Sequence, residues 1–199
     1  MNLMDVNTFG PHRMVLACLP LLIKSKGRIV NISSISGILT GRYFGLYSMS
    51  KHAIEAYSDA LIQNVEDFGM YVSLIEPGNF QSEIGKNMIE RMREEKEGYR
   101  INMIDAQRKQ QFQEVEEGFI ADHGYPEPDK VAEAIFDALF SEKPKPRYLV
   151  CGNQDEAHWV IRRMFIELLQ LNENHEHSYD KAELLEILDE SIEYIKENM

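Results

Sequence analysis

Two short apolar runs enclose a long amphipathic segment, and this arrangement constrains the fold more than any other feature of the chain. Residues 28–33 are rich in β-branched side chains and end in small polar residues, which predicts a buried strand. Residues 71–75 predict a second strand. Between them, apolar side chains recur at three- and four-residue steps over residues 46–68, which predicts a helix that ends at Gly69. A strand, a long crossover helix and a second strand together predict a parallel sheet.

The rest of the chain contains further helical stripes and one more strand. The apolar positions predict additional helices at the N-terminus and after the second strand, and a third strand rich in apolar side chains near the middle of the C-terminal half. The predicted elements are helices over residues 1–23, 128–141, 154–170 and 180–197 and a strand over residues 147–151.

Tyr47 and Lys51 are four residues apart in the predicted helix, so their side chains share one face and lie one turn apart. A nearby positive charge favours the ionised form of an acid, so we predict that the pKa of the Tyr47 phenol falls toward neutrality. A tyrosine tuned in this way can give or take a proton near neutral pH. Ser34 stands thirteen positions before Tyr47, where the first predicted strand ends.

Ser34, the pattern Tyr47-x-x-x-Lys51 and the later pair Pro77-Gly78 resemble, in this order, the short-chain dehydrogenase/reductase family. The resemblance extends to Asn7, which looks like the family's helix asparagine, and to the apolar run before Ser34, which looks like its active-site strand. It is clearest over residues 1–82 and extends to residues 128–152.

The resemblance implies an α/β fold with a partial doubly wound, Rossmann-type parallel sheet, three recognisable strands, flanking helices and a helical C-terminal extension. We expect a truncated catalytic domain over residues 1–152, in which residues 82–127 cover the substrate, and the extension over residues 153–199. Family members begin with a glycine-rich turn that holds the cofactor's pyrophosphate, and this sequence has no such run. We therefore expect that about the first four strands of the family's sheet are not represented, with Met1 either internal to a longer frame or the start of a short form.

The implied activity is that of an NAD(P)-dependent oxidoreductase, which interconverts an alcohol and a carbonyl group on a small hydrophobic substrate by hydride transfer. By resemblance, Tyr47 exchanges the proton and Ser34 orients the substrate oxygen. Lys51 binds the nicotinamide ribose and lowers the pKa of Tyr47, and Asn7 holds a water that extends the proton path. The hydride chemistry belongs to the cofactor, while the protein supplies geometry and charge.

The cofactor implied by the resemblance is NAD or NADP, and the residue that selects between them lies outside this chain. Pro77, Gly78 and Phe80 resemble the backbone wall beside the nicotinamide. Ser82 stands where the family has a threonine that hydrogen-bonds the carboxamide. The context of Pro77-Gly78 is similar to that in members that act on steroid- or retinoid-like substrates.

A different class of function stays open. The alternative hypothesis is that the chain is a non-catalytic fragment, or a binding or dimerisation partner that lacks the cofactor-binding half. Losing the first strands would remove most cofactor contacts and expose a sheet edge, so we expect these residues alone to bind nicotinamide nucleotide poorly. If the protein is full length, the helices over residues 1–23 and 46–68 are expected to form the family's four-helix contact in a homo-oligomer, a dimer or a tetramer.

Charge limits the choice of partners. The net charge is −12, and the whole excess lies after residue 81, because the residues before it hold six acids and six bases. No basic stripe is present, so nucleic-acid binding is not expected. The simpler interpretation of the excess negative charge is a solvated acidic face, and the alternative is an acidic docking surface.

Apolar and metal-binding patterns lead to three further expectations. The longest apolar run, residues 14–23, has only ten residues, so no membrane span is expected. Cys18 and Cys151 lie far apart on apolar segments, which favours buried thiols in a reducing compartment and predicts a cytoplasmic protein. His175-Glu176-His177 lies in a polar linker without a suitably spaced third ligand, so no metal site is expected.

Overall fold

The computed structural model describes residues 3–41, 44–94, 106–121 and 123–198. It divides into two compact units, one formed by Met1–Gly78 together with Asp129–Met199 and one formed by Asn79–Pro128. The predicted division of the chain at residue 152 stays a prediction.

The first unit carries the sheet. In chain order, a π-helix (Asp5–Phe9) continues into α1, and two short 3-10 turns (Ile35–Gly37 and Glu66–Phe68) flank α2. The strands are β1 (Arg28–Ile32), β2 (Tyr71–Pro77) and β3 (Arg147–Val150). The helices of both units are α1 (Gly10–Ser25), α2 (Gly45–Val65), α3 (Ile84–Glu94), α4 (Ala106–Ile120), α5 (Asp129–Phe140), α6 (Gln154–Asn172) and α7 (Lys181–Asn198).

The three strands form one parallel sheet in the order β1-β2-β3. Ile29 of β1 pairs with Val72 of β2, and Leu74 of β2 pairs with Arg147 of β3. The predicted α/β class and the three parallel strands are therefore confirmed. Among the described residues β1 pairs with β2 alone, so one edge of this sheet is open.

Helices cover both faces of the sheet, as in a doubly wound fold. On one face, α1 and α2 pack against β1 and β2, and the buried side chains there are Val15, Ile29, Leu61, Val65, Met70 and Val72. On the other face, α5 packs against Ile75 and Tyr148 through Ala138. Each fully buried aliphatic side chain contributes about 1.5–3 kcal/mol relative to an exposed one. These two cores fix the carboxyl ends of β1 and β2 relative to α2.

The second unit contains α3 and α4, part of the segment predicted to cover the substrate. Its chain ends meet where the backbone N–H of Gln81 donates to the carbonyl of Pro126 at 2.9 Å. Phe80 and Ile89 are buried within the described residues of this unit. Met103 and Ile104 also belong to the segment over residues 82–127 that was predicted to cover the substrate, and they lie outside the described residues.

The N-terminal helix is longer than the apolar run suggested. The π-helix and α1 together run over Asp5–Ser25, 21 residues, and by length and composition this helix is apolar enough to cross a membrane. The expectation of no membrane span rested on the ten-residue run, which turns on either side extend, and it stays a prediction. Core helices of non-membrane proteins also pass this test, but only 6% of the apolar window of this helix is buried; Val15, Leu19 and Leu22 of α1 pack into a core.

Candidate active site

Ser34 caps the turn that follows β1. Its backbone is extended, and its Oγ accepts a hydrogen bond from the backbone N–H of Ser36 at 3.1 Å, which starts the 3-10 turn over Ile35–Gly37. The side chain of Ser34 also lies close enough to the hydroxyl of Tyr47 on α2 to lower its pKa. The structure thus brings together the two groups that the sequence predicted to share a substrate oxygen.

Tyr47 and Lys51 lie on the same face of α2, as their spacing predicted. The Nζ of Lys51 lies 5.7 Å from the centroid of the Tyr47 ring. The same ammonium donates a hydrogen bond to the carbonyl of Ile32, the last residue of β1, at 3.0 Å. This bond holds the Lys51 side chain against the strand end that presents Ser34.

The predicted direction of the Tyr47 pKa was wrong. Burial raises the pKa of the phenol above its ordinary value, and the hydrogen bond from Ser34 only partly opposes this effect. Burial also lowers the pKa of Lys51, while the negative charge of Glu55 raises it. The ammonium lies beside the phenol ring and donates to the Ile32 carbonyl, so desolvation controls the acidity of Tyr47.

Asn7 lies in the π-helix and reaches α2 one residue before Lys51. Its Nδ2 donates to the Oγ of Ser50 at 3.1 Å, and Ser50 donates in turn to the carbonyl of Tyr47 at 2.7 Å. Thr8 reinforces this contact by donating to the carbonyl of Ser50 at 3.1 Å. π-Helical turns occur often at functional sites because they redirect side chains. The structure thus places Asn7 within two hydrogen bonds of the Tyr47 backbone.

Pro77 and Gly78 form the turn at the carboxyl end of β2, beside the start of α6. The N–H of Gly78 donates to the carbonyl of Val150 at 2.8 Å. The carboxylate of Glu156 lies against Gly78 so closely that a Cβ at position 78 would collide with it. Asn153 caps α6 by accepting from the N–H of Glu156, whose carboxylate accepts from Gly152. The glycine is therefore required by the packing of α6 against this turn.

The other two predicted cofactor residues, Phe80 and Ser82, belong to the second unit. Phe80 is buried there. Ser82 accepts from the backbone N–H of Ile84 at 3.5 Å, at the start of α3. Their assignment to a nicotinamide site stays a prediction.

A cluster of charged side chains beside α2 was not predicted from the sequence. We call it the Arg147 cluster: Arg147 of β3 donates to Glu55 and Asp59 of α2 and to Glu76 of β2, at 2.6 Å to each of the last two. The carboxylates of Glu55 and Glu76 are buried, with 9% and 4% of their side chains exposed. Glu55 follows Lys51 by four residues and Glu76 precedes Pro77, and these positions were the only signals in the sequence.

Comparison with known proteins agrees with this geometry. The family model of the short chain dehydrogenases matches residues 1–93, which carry Asn7, Ser34, Tyr47, Lys51, Pro77 and Gly78. The chain belongs to the short-chain dehydrogenase/reductase family. The described residues place four of these side chains, those of Asn7, Ser34, Tyr47 and Lys51, around the end of β1 and the first turns of α2, as the order of the motifs predicted.

Relatives of this family extend the similarity beyond residue 93. A 3beta-hydroxysteroid dehydrogenase of Caenorhabditis elegans is 35% identical over 166 residues, which cover 79% of this chain and 42% of that protein. The human 17-beta-hydroxysteroid dehydrogenase type 6 is 32% identical over 182 residues, which cover 86% of this chain and 53% of that protein. The chain thus spans about half the length of these curated relatives.

A solved structure shows the same fold. A short-chain dehydrogenase from Streptomyces avermitilis superposes with a TM-score of 0.62 at 26% identity, over 86% of this chain and 58% of that one. The sheet and helices described above are therefore a part of the short-chain dehydrogenase fold.

The Arg147 cluster makes the stability of the folded chain depend on pH. Burial, together with the charge of Glu55, raises the pKa of Glu76 from 4.5 to about 7, although Arg147 opposes the shift. The folded chain therefore binds the Glu76 proton more tightly than the unfolded chain does. Ionisation of Glu76 weakens the fold as pH rises from about 4.5 to about 7, and the full loss is present above that range.

We expect Glu76→Gln to remove this loss. The amide oxygen still accepts from Arg147, but the side chain no longer ionises. The free energy of unfolding of the variant, relative to that of wild type, should therefore rise by roughly 1–3 kcal/mol as pH goes from 5 to 8. Urea unfolding across that pH range measures the difference. Glu193→Gln is the control, because Glu193 is exposed and pairs only with Lys196 of α7 within the described residues. A difference between Glu76→Gln and wild type that stays constant with pH would contradict the assignment.

Proposed function

We propose that this chain carries the catalytic residues of an NAD(P)-dependent oxidoreductase that interconverts an alcohol and a carbonyl group on a small hydrophobic substrate. One observation supports this most directly: the Ser34 side chain lies close enough to the Tyr47 hydroxyl to lower its pKa, and the Lys51 ammonium lies beside the Tyr47 ring. Two hydroxyls that meet in this way can both bind one substrate oxygen, one as the orienting group and one as the proton donor.

The residues present fit the nicotinamide end of the cofactor. Lys51 supplies an ammonium with three N–H groups, of which one is used on Ile32, so it suits the hydroxyls of a ribose. The Glu156 carboxylate occupies the space beside Gly78, so a nicotinamide wall at Pro77 and Gly78 is proposed from the resemblance to the family alone. NAD or NADP, when bound, accepts or supplies the hydride.

Proton transfer is then the task of Tyr47. Its pKa is raised by burial, so the phenol is protonated near neutral pH, which is the form that donates to a carbonyl oxygen as that oxygen gains charge. Ser34 holds the same oxygen by a hydrogen bond that strengthens as the charge develops. In the oxidation direction the proton moves from the alcohol to the Tyr47 oxygen, which must first ionise against the effect of burial. To Asn7, whose amide donates to Ser50, we assign the role of holding a water that extends the proton path from Lys51.

The substrate class we propose is steroid- or retinoid-like. Two of the relatives are named as hydroxysteroid dehydrogenases, which supports an apolar alcohol or ketone of that size. We further propose that the protein is cytoplasmic and forms homo-oligomers. Exposed apolar side chains of the N-terminal helix support an oligomeric contact, among them Phe9, Met14 and Leu16.

The second candidate is a fragment or partner without catalysis of its own. The open edge of β1 and the half-length match to relatives favour it. In that case the chain alone binds nicotinamide nucleotide weakly and turns over little substrate, because the phosphates have no glycine-rich turn to hold them.

An assay with two proteins separates these candidates. One is the 199-residue chain, and the other is a chimera that carries, before residue 1, the N-terminal segment of the human 17-beta-hydroxysteroid dehydrogenase type 6. Calorimetry measures NADH and NADPH binding, and chromatography follows reduction of a ketosteroid. We expect weak binding by the chain and steroid turnover by the chimera. A folded chimera that binds nucleotide but reduces no carbonyl would overturn the oxidoreductase proposal, and micromolar binding by the chain alone would overturn the fragment.

A further inference from the structure

Glu55 connects the Arg147 cluster to the catalytic residues. We propose that Glu55 is a positioning residue of the active site: clamped by Arg147, its carboxylate is held one helix turn from Lys51 and against the turn that begins at Ser34. This inference rests on the function proposed above, and it adds a residue that the family's motif does not contain.

The position of Glu55 on α2 is the first support. It follows Lys51 by four residues, so the two side chains project from the same face of the helix. Among the described residues, the charged or titratable groups around Lys51 are Glu55 and Tyr47 on its own helix, while β1 contributes the carbonyl of Ile32. Glu55 is the negative charge in this set.

Two neighbours fix the Glu55 side chain. Arg147, which lies on β3, donates to its Oε2. Gly37, in the turn that begins at Ser34, lies so close that a Cβ there would come within 2.7 Å of Oε1. Glu55 is therefore in contact with the turn that presents Ser34 and acts on the lysine that accompanies Tyr47.

The surroundings make the charge of Glu55 effective. A cavity of about 320 Å³ beside it is lined by Glu55, Glu76 and Arg147 and by apolar side chains such as Leu149 and Val160. The Glu55 side chain is only 9% exposed, so water screens its charge less than that of a surface carboxylate. Accordingly, the charge of Glu55 raises the pKa of Lys51, against the lowering caused by burial.

The charge balance of the Arg147 cluster points the same way. Three carboxylates (Glu55, Asp59 and Glu76) share one guanidinium, which leaves an excess of negative charge. Glu76 relieves part of the excess by holding its proton up to about pH 7. Lys51 supplies a second positive charge, one helix turn from Glu55.

Titration of Lys51 by NMR tests the proposal without any need for activity. The whole chain is labelled with ¹³C at the lysine Cε, and the Lys51 signal is assigned by its absence from Lys51→Arg. We expect Glu55→Gln to weaken the proton affinity of Lys51 at least about threefold. Glu55→Leu is the second variant, because a leucine side chain can pack against the apolar residues that line the cavity, and it should have the same effect. Asp59→Asn is the matched control, because Asp59 also binds Arg147 but is 51% exposed.

The outcomes are distinguishable. A lower Lys51 midpoint in Glu55→Gln or Glu55→Leu, with no change in Asp59→Asn, supports the positioning role. An unchanged midpoint in a folded Glu55 variant, or an equal shift in Asp59→Asn, overturns it. If the NMR shift is found but the chimera reduces no carbonyl, the oxidoreductase proposal fails while the Glu55–Lys51 coupling stands. If the chimera turns over and the midpoint stays constant, only the Glu55 inference fails.

Discussion

Tyr47→Phe should lower kcat for ketosteroid reduction by the chimera about 10²–10⁴-fold, because it removes the group that supplies the proton. The phenyl ring keeps the shape of the side chain and its place beside Lys51, so the fold and nucleotide binding should change little. The expected signature is therefore a loss in kcat with a nearly constant dissociation constant for NADH or NADPH, measured by steady-state kinetics and calorimetry.

Tyr57→Phe is the matched control for this experiment. Tyr57 lies on the same helix, is also partly buried and packs edge-on against His12, with ring centroids 5.4 Å apart. Its hydroxyl takes no part in the proposed chemistry, so turnover should stay within about twofold of wild type, as expected for a change outside the site. Wild-type turnover in Tyr47→Phe would show that another group donates the proton, and a matching loss in both variants would indicate a general defect of α2.

The sequence was sufficient for the parts of the site that depend on local spacing. The strand-helix-strand pattern around α2 predicted the parallel pairing of β1 and β2, since periodicity and crossover length are properties of neighbouring residues. The four-residue spacing of Tyr47 and Lys51 predicted a shared helix face for the same reason. Ser34 was identified because it lies near the end of the first strand and thirteen residues before Tyr47.

The parts that the sequence missed depend on contacts between distant residues. The pKa of Tyr47 is set by burial, and burial depends on how α2 packs, which no spacing reports. Arg147 meets Glu55 because β3 pairs with β2 in a register that places Arg147 opposite Leu74. The two cluster partners are 92 residues apart in the chain. Glu55 and Glu76 therefore looked like ordinary charged residues until the third strand was in place.

Arg147→Met should destabilise the chain by about 2–4 kcal/mol, which corresponds to a fall in Tm of roughly 4–16 °C for a chain of this size. The variant leaves the carboxylates of Glu55 and Glu76 buried without their shared cation. The side chain of Arg147 is itself 40% exposed, so water offsets a part of the 3–5 kcal/mol that breaking a fully buried pair costs. Differential scanning calorimetry at pH 8, where Glu76 is ionised, measures the effect.

The same variant should lose less stability at pH 5 than at pH 8. At pH 5 Glu76 holds its proton in the folded chain, so fewer negative charges lack a partner once Arg147 is gone. Arg163→Met is the control, because Arg163 also pairs with a glutamate and is also 40% exposed, but its partner Glu167 lies one turn away on the surface of α6. Surface pairs of this kind contribute less than about 1 kcal/mol. Equal losses of stability for Arg147→Met and Arg163→Met would mean that the three carboxylates around Arg147 are solvated. The cluster would then neither stabilise the fold nor position Glu55.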